Sequence, residues 1–233
     1  PRERYRIMRN YLPTRGELAM DMMHATASLQ VNFDWTDEAD MVAALRTSLA
    51  ITPIVTACFA YSSLHLGRPS GFVSRRAWIW RHTDPDRSGL LPFAFDPGFG
   101  YANYAEWALD VPMFFIVRDG RYSAMQGKTF RRFWQEGHEG ERATLTDWDR
   151  HLTTLFPEVR VKRTPGQQVQ VDVEHGLAAV AIAVHQGPIA AVGEALGVEG
   201  AGGEEAQDGV AEPVVHRRVE AVAADHPQQR AVL

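Results

Sequence analysis

The chain has 233 residues, a formal net charge of −5 at pH 7 and a pI near 6.0. Its length allows one large domain or two small ones, and its acidic balance gives no sign of a nucleic-acid partner. It contains no uninterrupted apolar run of membrane length and a single cysteine, Cys58, so we expect no membrane contact, no internal disulfide and a cytoplasmic location.

The ends of the chain differ from its middle. The first residue is Pro1 rather than an initiator methionine, and no secretory leader pattern follows it, so we expect an internal fragment of a longer protein. Every Phe, Tyr, Trp, Met and Cys lies before Thr164. A segment without aromatic side chains has few means of building a dense core. We therefore predict a boundary at about Arg163, with a folded domain over residues 1–163 and a low-complexity tail of uncertain order over residues 164–233.

Two short helices are predicted at the N-terminus. Tyr5, Met8 and Leu12 share an apolar stripe over residues 4–12, which indicates the first helix. Residues 13–16 contain proline and glycine and break it. Residues 17–23 form a second helical turn that leads into the next segment.

Residues 26–35 are the stretch around which the chain is organised, because polar and apolar side chains alternate there with period two. One face carries Leu29, Val31, Phe33 and Trp35, and the other carries Ser28, Gln30, Asn32 and Asp34. The pattern predicts a β-strand whose apolar face packs on helices. The polar face has two interpretations. It meets water, as one side of many antiparallel sheets does, or the uncharged amides of Gln30 and Asn32 fix a polar ligand in a cleft.

The segment after this strand is predicted to form two helices. Thr36 is the expected N-cap of a helix that continues to about Ile51, because Pro53 disfavours the helical conformation of Thr52. Residues 54–61 are apolar throughout and are predicted to form a second, buried helix. In that helix Cys58 is expected to be a small core residue rather than a reactive thiol.

Residues 72–80 combine aromatic side chains with Arg75 and Arg76, and we expect this segment to be extended. In an extended segment neighbouring side chains point to opposite faces. Two interpretations are open for the arginines. They lie in solvent with their stems on tryptophan, or one of them clamps a carboxylate or phosphate with its planar fork of donors.

The remainder alternates between helices and strands. Helices are predicted over residues 101–109, from Phe130 onward, and from a capping box at residues 146–149 to Pro157, with His151 at the surface of the last one. Strands are predicted over residues 113–117 and 159–163, and Asp119–Gly120 is the strongest hairpin signal. This order of elements predicts an α+β fold with an antiparallel or mixed sheet.

Common short motifs do not identify a reaction. Residues 127–129 read Gly-Lys-Thr like the end of a phosphate-binding loop, but Tyr122 stands where that loop requires glycine. A GxSxG elbow is absent from the sequence. The sequence also lacks the paired His or Cys spacing of a metal site, so no metal ligand is predicted within this chain.

A colinear series of segments resembles glutamate–cysteine ligase of the plant and proteobacterial type. The segments are residues 4–9, 21–23, 30–34, 38–41, 79–80, 83–87, 91–93, 108–113 and 156–163. The resemblance thus covers about residues 1–163 and identifies them as part of a ligase catalytic domain. It implies a fold similar to that of glutamine synthetase, with an antiparallel sheet curved into a cup and helices outside. It also implies that the metal ligands lie before residue 1. Further ATP contacts would follow residue 163, where this chain has a tail that resembles an out-of-frame reading of its gene.

The family joins the γ-carboxylate of glutamate to the amine of cysteine, using ATP and Mg²⁺ and passing through γ-glutamyl phosphate. The resemblance therefore implies glutathione biosynthesis and three small-molecule partners: glutamate, cysteine and ATP. By the same resemblance the substrate-binding residues are Arg76, which holds glutamate, Arg4, which assists, Gln30 and Asn32 on the concave face, and Met113 and Phe114 in the acceptor pocket. Two alternatives stay open: a ligase of this fold with another amine acceptor, and a catalytically inactive fragment.

Overall fold

A computed structural model describes residues 3–164 and 166–173, and these form a mixed assembly of helices and short strands. The helices are α1 (Glu3–Tyr11), α2 (Ala19–Ala25), α3 (Glu38–Phe59), α4 (Arg75–Arg81), α5 (Tyr101–Asp110), α6 (Phe130–Glu136) and α7 (Leu145–Leu152). The strands are β1 (Leu29–Asp34), β2 (Leu64–His65), β3 (Arg68–Pro69), β4 (Ser88–Gly89), β5 (Phe115–Arg118), β6 (Arg121–Ala124), β7 (Phe156–Pro157), β8 (Val159–Thr164) and β9 (Gly166–Val173). Short 3₁₀ turns occupy Leu12–Thr14 and Pro92–Phe95.

The largest sheet has three antiparallel strands in the order β1-β9-β8. Its apolar face includes Val31 and Phe33 of β1 and the buried Val169 and Val171 of β9, which pack against α3. Gln30, Asn32 and Asp34 are exposed on the other face. The predicted strand and its alternation are confirmed, as is the α+β class, because a helix covers one side of an antiparallel sheet.

Helix α3 is continuous through Pro53, so the predicted division into two helices is wrong. Val55 and Phe59, beyond the proline, pack on the same core as Met41 and Leu45, before it. Burial on both sides of the proline therefore outweighs the backbone hydrogen bond that proline cannot make. By length and composition α3 could also span a membrane, and 33% of its apolar window is buried. The helix packs against β8 and β9.

Two further predictions about α3 are wrong. Its N-cap is Asp37, whose side chain accepts from the Asp40 amide at 2.8 Å, while the Thr36 amide donates to the Asp40 carboxylate at 3.0 Å. Cys58 is exposed rather than buried, because the last turns of α3 contact the core through the partly buried Val55 and Phe59 and leave Cys58 outside it.

A second core lies between α5, α6, α7 and the hairpin of β5 and β6, with Trp148 and Phe133 fully buried at its centre. The predicted hairpin is confirmed: Asp119 and Gly120 have φ values of 48° and 77°, as its tight turn requires. Arg118 ties this hairpin to α7 by donating two hydrogen bonds to the Asp147 carboxylate, at 2.7 and 2.8 Å.

Helix α7 begins after Thr144, which forms a capping box with Asp147, and ends at Leu152 instead of Pro157. Its His151 is 3% exposed, so the predicted surface position is wrong. The imidazole Nε2 lies 2.8 Å from the Ala108 carbonyl oxygen, and its ring packs against Phe130 and Trp148. The helix is amphipathic and His151 lies on its apolar side, so a surface position inferred from residue type alone was wrong.

A third core joins α1, α2 and α4 to β5 through Met8, Met22, Ile79 and Phe115. Gly16 lies in the link between α1 and α2, where the backbone passes directly over the end of α4. A Cβ atom on Gly16 would lie 2.2 Å from the His82 carbonyl oxygen. Only glycine allows this approach.

The described chain crosses the predicted boundary at Arg163 without a break in the sheet. Strand β9 follows it and pairs with both β1 and β8. Residues 174–233, which make up most of the predicted low-complexity tail, lie outside the described residues, and the division into two parts stays a prediction.

Candidate functional site

The polar face of the main sheet carries a row of three linked side chains. The strand register places Asn32 of β1 opposite Gln170 of β9, and Gln170 opposite Arg160 of β8. Arg160 Nε donates to Gln170 Oε1 at 2.7 Å, and Gln170 Nε2 donates to Asn32 Oδ1 at 2.9 Å. Gln170 is buried and Asn32 is exposed. A ligand on this face therefore meets Asn32 at the accessible end of the row.

Gln30 and Lys162 extend the same face. Gln30 is exposed two residues before Asn32 on β1, and Lys162 lies two residues after Arg160 on β8, so the period of the strands places all four on one side. Burial, and then the charge of Arg160, lower the pKa of the Lys162 ammonium. Two neighbouring cations repel each other and attract an anion. Asp34 is exposed on the same face, so the part beside Arg160 and Lys162 is the part suited to carboxylate or phosphate groups.

Arg76 lies at the beginning of α4 rather than in an extended segment, and that prediction is corrected. Ser74 caps the helix by accepting from the Ala77 amide at 3.1 Å. Arg76 is 9% exposed, its Nε donates to the Ala27 carbonyl oxygen at 2.8 Å, and its Cζ lies 5.6 Å from the centre of the Trp80 ring. Ala27 precedes β1 by two residues, so this guanidinium is held at the N-terminal end of the strand that carries Gln30 and Asn32.

Arg75 has a different environment. Its Nη2 donates to the Asp21 carboxylate of α2 at 3.0 Å. The two adjacent arginines thus have separate partners: Arg75 ties α4 to α2, and Arg76 ties α4 to the approach to β1. The solvated interpretation fits neither side chain.

The other predicted site residues lie in a different part of the molecule. Met113 and Phe114 are 1% and 2% exposed, and Phe114 packs edge-on against Tyr11 at 5.4 Å between ring centres. Arg4 lies over the Phe115 ring, with its Cζ 5.8 Å from the ring centre, and its Nη2 is 3.5 Å from the Thr153 carbonyl oxygen. Within the described ranges, no hydrogen bond or ring contact joins Arg4, Met113 or Phe114 to Gln30 or Asn32.

A buried ion pair supports the backbone just before Phe114, and sequence reasoning missed it. Arg87 is fully buried and donates from Nε to the Asp84 carboxylate at 2.6 Å and from Nη2 to the Pro112 carbonyl oxygen at 2.7 Å. Its Cζ lies 3.8 Å from the centre of the Phe114 ring. The one signal in the sequence is an acid and an arginine three residues apart, a pattern that is also common in exposed loops.

Arg160 and Gln170 were also missed as functional residues. Arg160 fell in the strand predicted over residues 159–163 without a role, and Gln170 fell in the segment interpreted as a tail. Their partnership with Asn32 depends on strand register, which no local pattern in the sequence specifies. In the described part of the chain, no group of three or more His, Cys, Asp and Glu side chains is placed to hold a metal ion.

Comparison with known proteins identifies the relatives of this chain. A model described as glutamate-cysteine ligase family 2 matches residues 1–186. A chloroplastic glutamate–cysteine ligase of Brassica juncea is 51% identical over 166 residues, which are 70% of this chain and 32% of that protein. Two further chloroplastic ligases, glutamate–cysteine ligase B of Oryza sativa subsp. japonica and the ligase of Arabidopsis thaliana, are each 50% identical over 166 residues, which are 70% of this chain. The match covers 34% of the Oryza protein and 32% of the Arabidopsis protein.

Two statements follow from these relatives. The chain spans about a third of the length of the curated relatives it matches. The relatives are named as chloroplastic proteins, and this finding overturns the cytoplasmic location that we expected from the single cysteine. A low cysteine count reflects a reducing environment, which is not confined to one compartment, and therefore could not distinguish them.

Proposed function

Because the chain belongs to glutamate-cysteine ligase family 2, we propose that it supplies part of the substrate site of an enzyme that joins the γ-carboxylate of glutamate to the amine of cysteine with ATP. This reaction is the first step of glutathione biosynthesis. The observation that carries the proposal is the family match over residues 1–186, which includes β1, α4 and β8. These elements hold the polar sheet face and Arg76.

The proposed architecture is a sheet like that of glutamine synthetase, in which the three strands described above are one portion. Among the described strands, β1 pairs with β9 on one side and with none on the other. An open edge presents unpaired backbone donors and acceptors to which further strands can add. A larger antiparallel sheet would turn the face of Gln30 and Asn32 into the inner wall of a cup.

In this proposal Arg76 holds the α-carboxylate of glutamate. The bond from its Nε to the Ala27 carbonyl and the contact with Trp80 fix the plane of the guanidinium. Burial reduces competition from water and strengthens a charged hydrogen bond. Gln30 and Asn32 then contact polar groups of the substrate from the sheet, and Arg4, Met113 and Phe114 are proposed to support the acceptor amine.

The family also implies ATP and Mg²⁺, which together supply an activated phosphoryl group. The carboxylates of the described ranges are not grouped to fit a magnesium ion, so no step is derived through the metal. The phosphates of ATP fit the sheet face better, because Arg160 and Lys162 are cations and Asn32 is an exposed amide. These residues would bind and orient phosphate or carboxylate oxygens.

A chimera tests the proposal. The matched 166 residues of the Brassica juncea ligase are replaced by those of this chain, and ADP release is measured with glutamate and cysteine present together and singly. Release that requires both substrates supports the proposal. A folded chimera that releases no ADP, beside an active parent ligase, contradicts it.

The alternatives are separated by the same assay. A ligase with another acceptor would release ADP with glutamate and a second amine, such as glycine or 2-aminobutyrate, but not with cysteine. An inactive fragment is the outcome that we expect for the isolated chain, since it covers about a third of its relatives.

A further inference from the structure

The row of Arg160, Gln170 and Asn32 has a defined direction. A guanidinium carries only donors, whereas each side-chain amide has one accepting end and one donating end. Arg160 Nε therefore requires the oxygen of Gln170, and this leaves the Gln170 nitrogen for Asn32. The Gln170 nitrogen in turn requires the Asn32 oxygen, which agrees with the bonds of 2.7 and 2.9 Å.

Burial keeps this direction fixed. Gln170 is 4% exposed, so water cannot readily replace either partner and reversal of its amide would place two donors against each other. A second bond holds the arginine, because its Nη1 donates to the Leu155 carbonyl oxygen at 3.1 Å. The orientation of both amides is thus set by Arg160, because a guanidinium can only donate hydrogen bonds.

At the exposed end the result is a pair of donors. With Oδ1 occupied, Asn32 directs the hydrogens of Nδ2 away from the row, and among the side chains that the structure describes none accepts from Nδ2. We propose that Gln170 is a positioning residue that turns the Asn32 amide so that it donates to an oxygen anion, a carboxylate or a phosphate. The choice of glutamate and ATP as ligands rests on the proposed function; the orientation of the amide does not.

A near-isosteric variant reverses the direction without removing the row. Gln170→Glu keeps an acceptor for Arg160 and adds a charge that this arginine balances, so the fold is retained. The carboxylate has no donor for Asn32, and the Asn32 amide must rotate and donate to it. The sheet face then presents an oxygen to the ligand in place of two hydrogens. Gln135→Glu, on the exposed side of α6, adds the same charge away from the sheet and serves as the control.

The full chain labelled with ¹⁵N-asparagine is suited to the measurement, because it contains only three asparagines: Asn10, Asn32 and Asn103. Asn103 is an internal reference, since its Oδ1 accepts from the Gly100 amide at 3.0 Å. Side-chain NH₂ exchange with solvent and shifts on addition of glutamate, ATP, acetate or inorganic phosphate are recorded for the wild type and both variants.

In the wild type and in Gln135→Glu, we expect the Asn32 NH₂ group to exchange at the rate of an open amide and to shift with anions. In Gln170→Glu its exchange should be about tenfold slower or more, and anion affinity about tenfold weaker or more, since a charged hydrogen bond is moved from ligand to protein. Unchanged exchange, or unchanged anion affinity, in Gln170→Glu overturns the inference. So does a wild-type Asn32 that responds to none of the four anions.

Failure of the proposed function gives a different result. A wild-type Asn32 that shifts with acetate or phosphate, but not with glutamate or ATP, supports the donor arrangement and counts against a ligase substrate. A chimera without ligase activity, combined with the expected reversal of exchange, likewise counts only against the proposed function.

Discussion

Loss of the Arg87 guanidinium should remove a large part of the stability of the chain, because this side chain is fully buried. Arg87→Ala leaves the Asp84 carboxylate, 1% exposed, with only the more distant Arg15 as a counter-charge, whose Nε lies 4.0 Å away. Breaking a buried pair on one side costs about 3–5 kcal/mol. The lost bonds to the Pro112 and Thr154 carbonyl oxygens and the lost contact with Phe114 belong to the same cluster and do not add in full. The total free energy of unfolding of a typical domain is about 5–15 kcal/mol, so this cost is a large fraction of it.

The pair, rather than the arginine alone, is the unit to be perturbed. In Asp84→Asn combined with Arg87→Gln no charge is left buried, so the double variant should be more stable than Arg87→Ala. Arg87→Lys keeps the charge but loses the planar fork and should lie between the wild type and Arg87→Ala. Urea unfolding followed by tryptophan fluorescence gives the free energies of unfolding.

Arg132→Ala is the matched control. Arg132 pairs with Glu136 on α6, and both side chains are well exposed, at 62% and 48%, so its loss should cost at most about 1 kcal/mol. The reasoning is refuted if Arg87→Ala costs no more than Arg132→Ala, or if the double variant is as unstable as Arg87→Ala.

Three further results are expected. In the active chimera, Arg76→Ala should raise the glutamate KM by an amount equivalent to about 2–5 kcal/mol, while the ATP KM changes little. Arg76→Lys should recover part of this loss, and Arg75→Ala should not reproduce it. Equal effects of Arg75→Ala and Arg76→Ala would contradict the role of Arg76 in holding glutamate. Gly16→Ala should cost about 1–3 kcal/mol in urea unfolding, because its Cβ would overlap the His82 carbonyl oxygen, and a change below about 0.5 kcal/mol would show that the loop adapts. Burial lowers the pKa of His151 to about 4, so as the pH falls the unfolded chain binds a proton at this histidine before the folded chain does. The free energy of unfolding should therefore fall by about 3 kcal/mol as the pH drops from about 6.5 to 4. His151→Gln should reduce this dependence of the unfolding free energy on pH, and an unchanged dependence would exclude His151 as its source.

Local sequence patterns predicted the elements that local interactions determine. The alternation of β1 was recognised because one face of the sheet is buried and the other is not, and period two follows directly from that. The turn at Asp119 and Gly120 was recognised because positive φ values restrict the residues that can occupy it. In both cases the physical requirement acts on consecutive residues.

Predictions failed where packing between distant elements decides the result. Pro53 lowers the helical tendency of α3, but the core contacts of Val55 and Phe59 lie on the far side of the proline and keep the helix intact. His151 is buried because α6 and α5 cover that side of α7, and the helix alone does not contain this information. Intrinsic propensity is a weak constraint beside such contacts.

The candidate site shows the same division. The polar face with Gln30 and Asn32 was predicted from its own strand. The bond that orients Asn32 joins residues 138 positions apart, and only the strand register brings Gln170 to it. Resemblance to a family supplied Arg76, but the helix that holds it was missed, since the cap at Ser74 was not recognised.

The pairing of β1 with β9 has a consequence for synthesis of the protein. Leu29 lies opposite Val173, so about 140 residues must leave the ribosome between the two partners. At about 5–20 residues per second this takes roughly 7–30 s. During that interval β1 has no strand partner in the described sheet. Val31 and Phe33 also lack the neighbouring side chains of Val171 and Val169, which lie opposite them in the finished fold. A nascent chain with an open, partly apolar strand is a substrate for chaperones, and slowing translation should increase its aggregation.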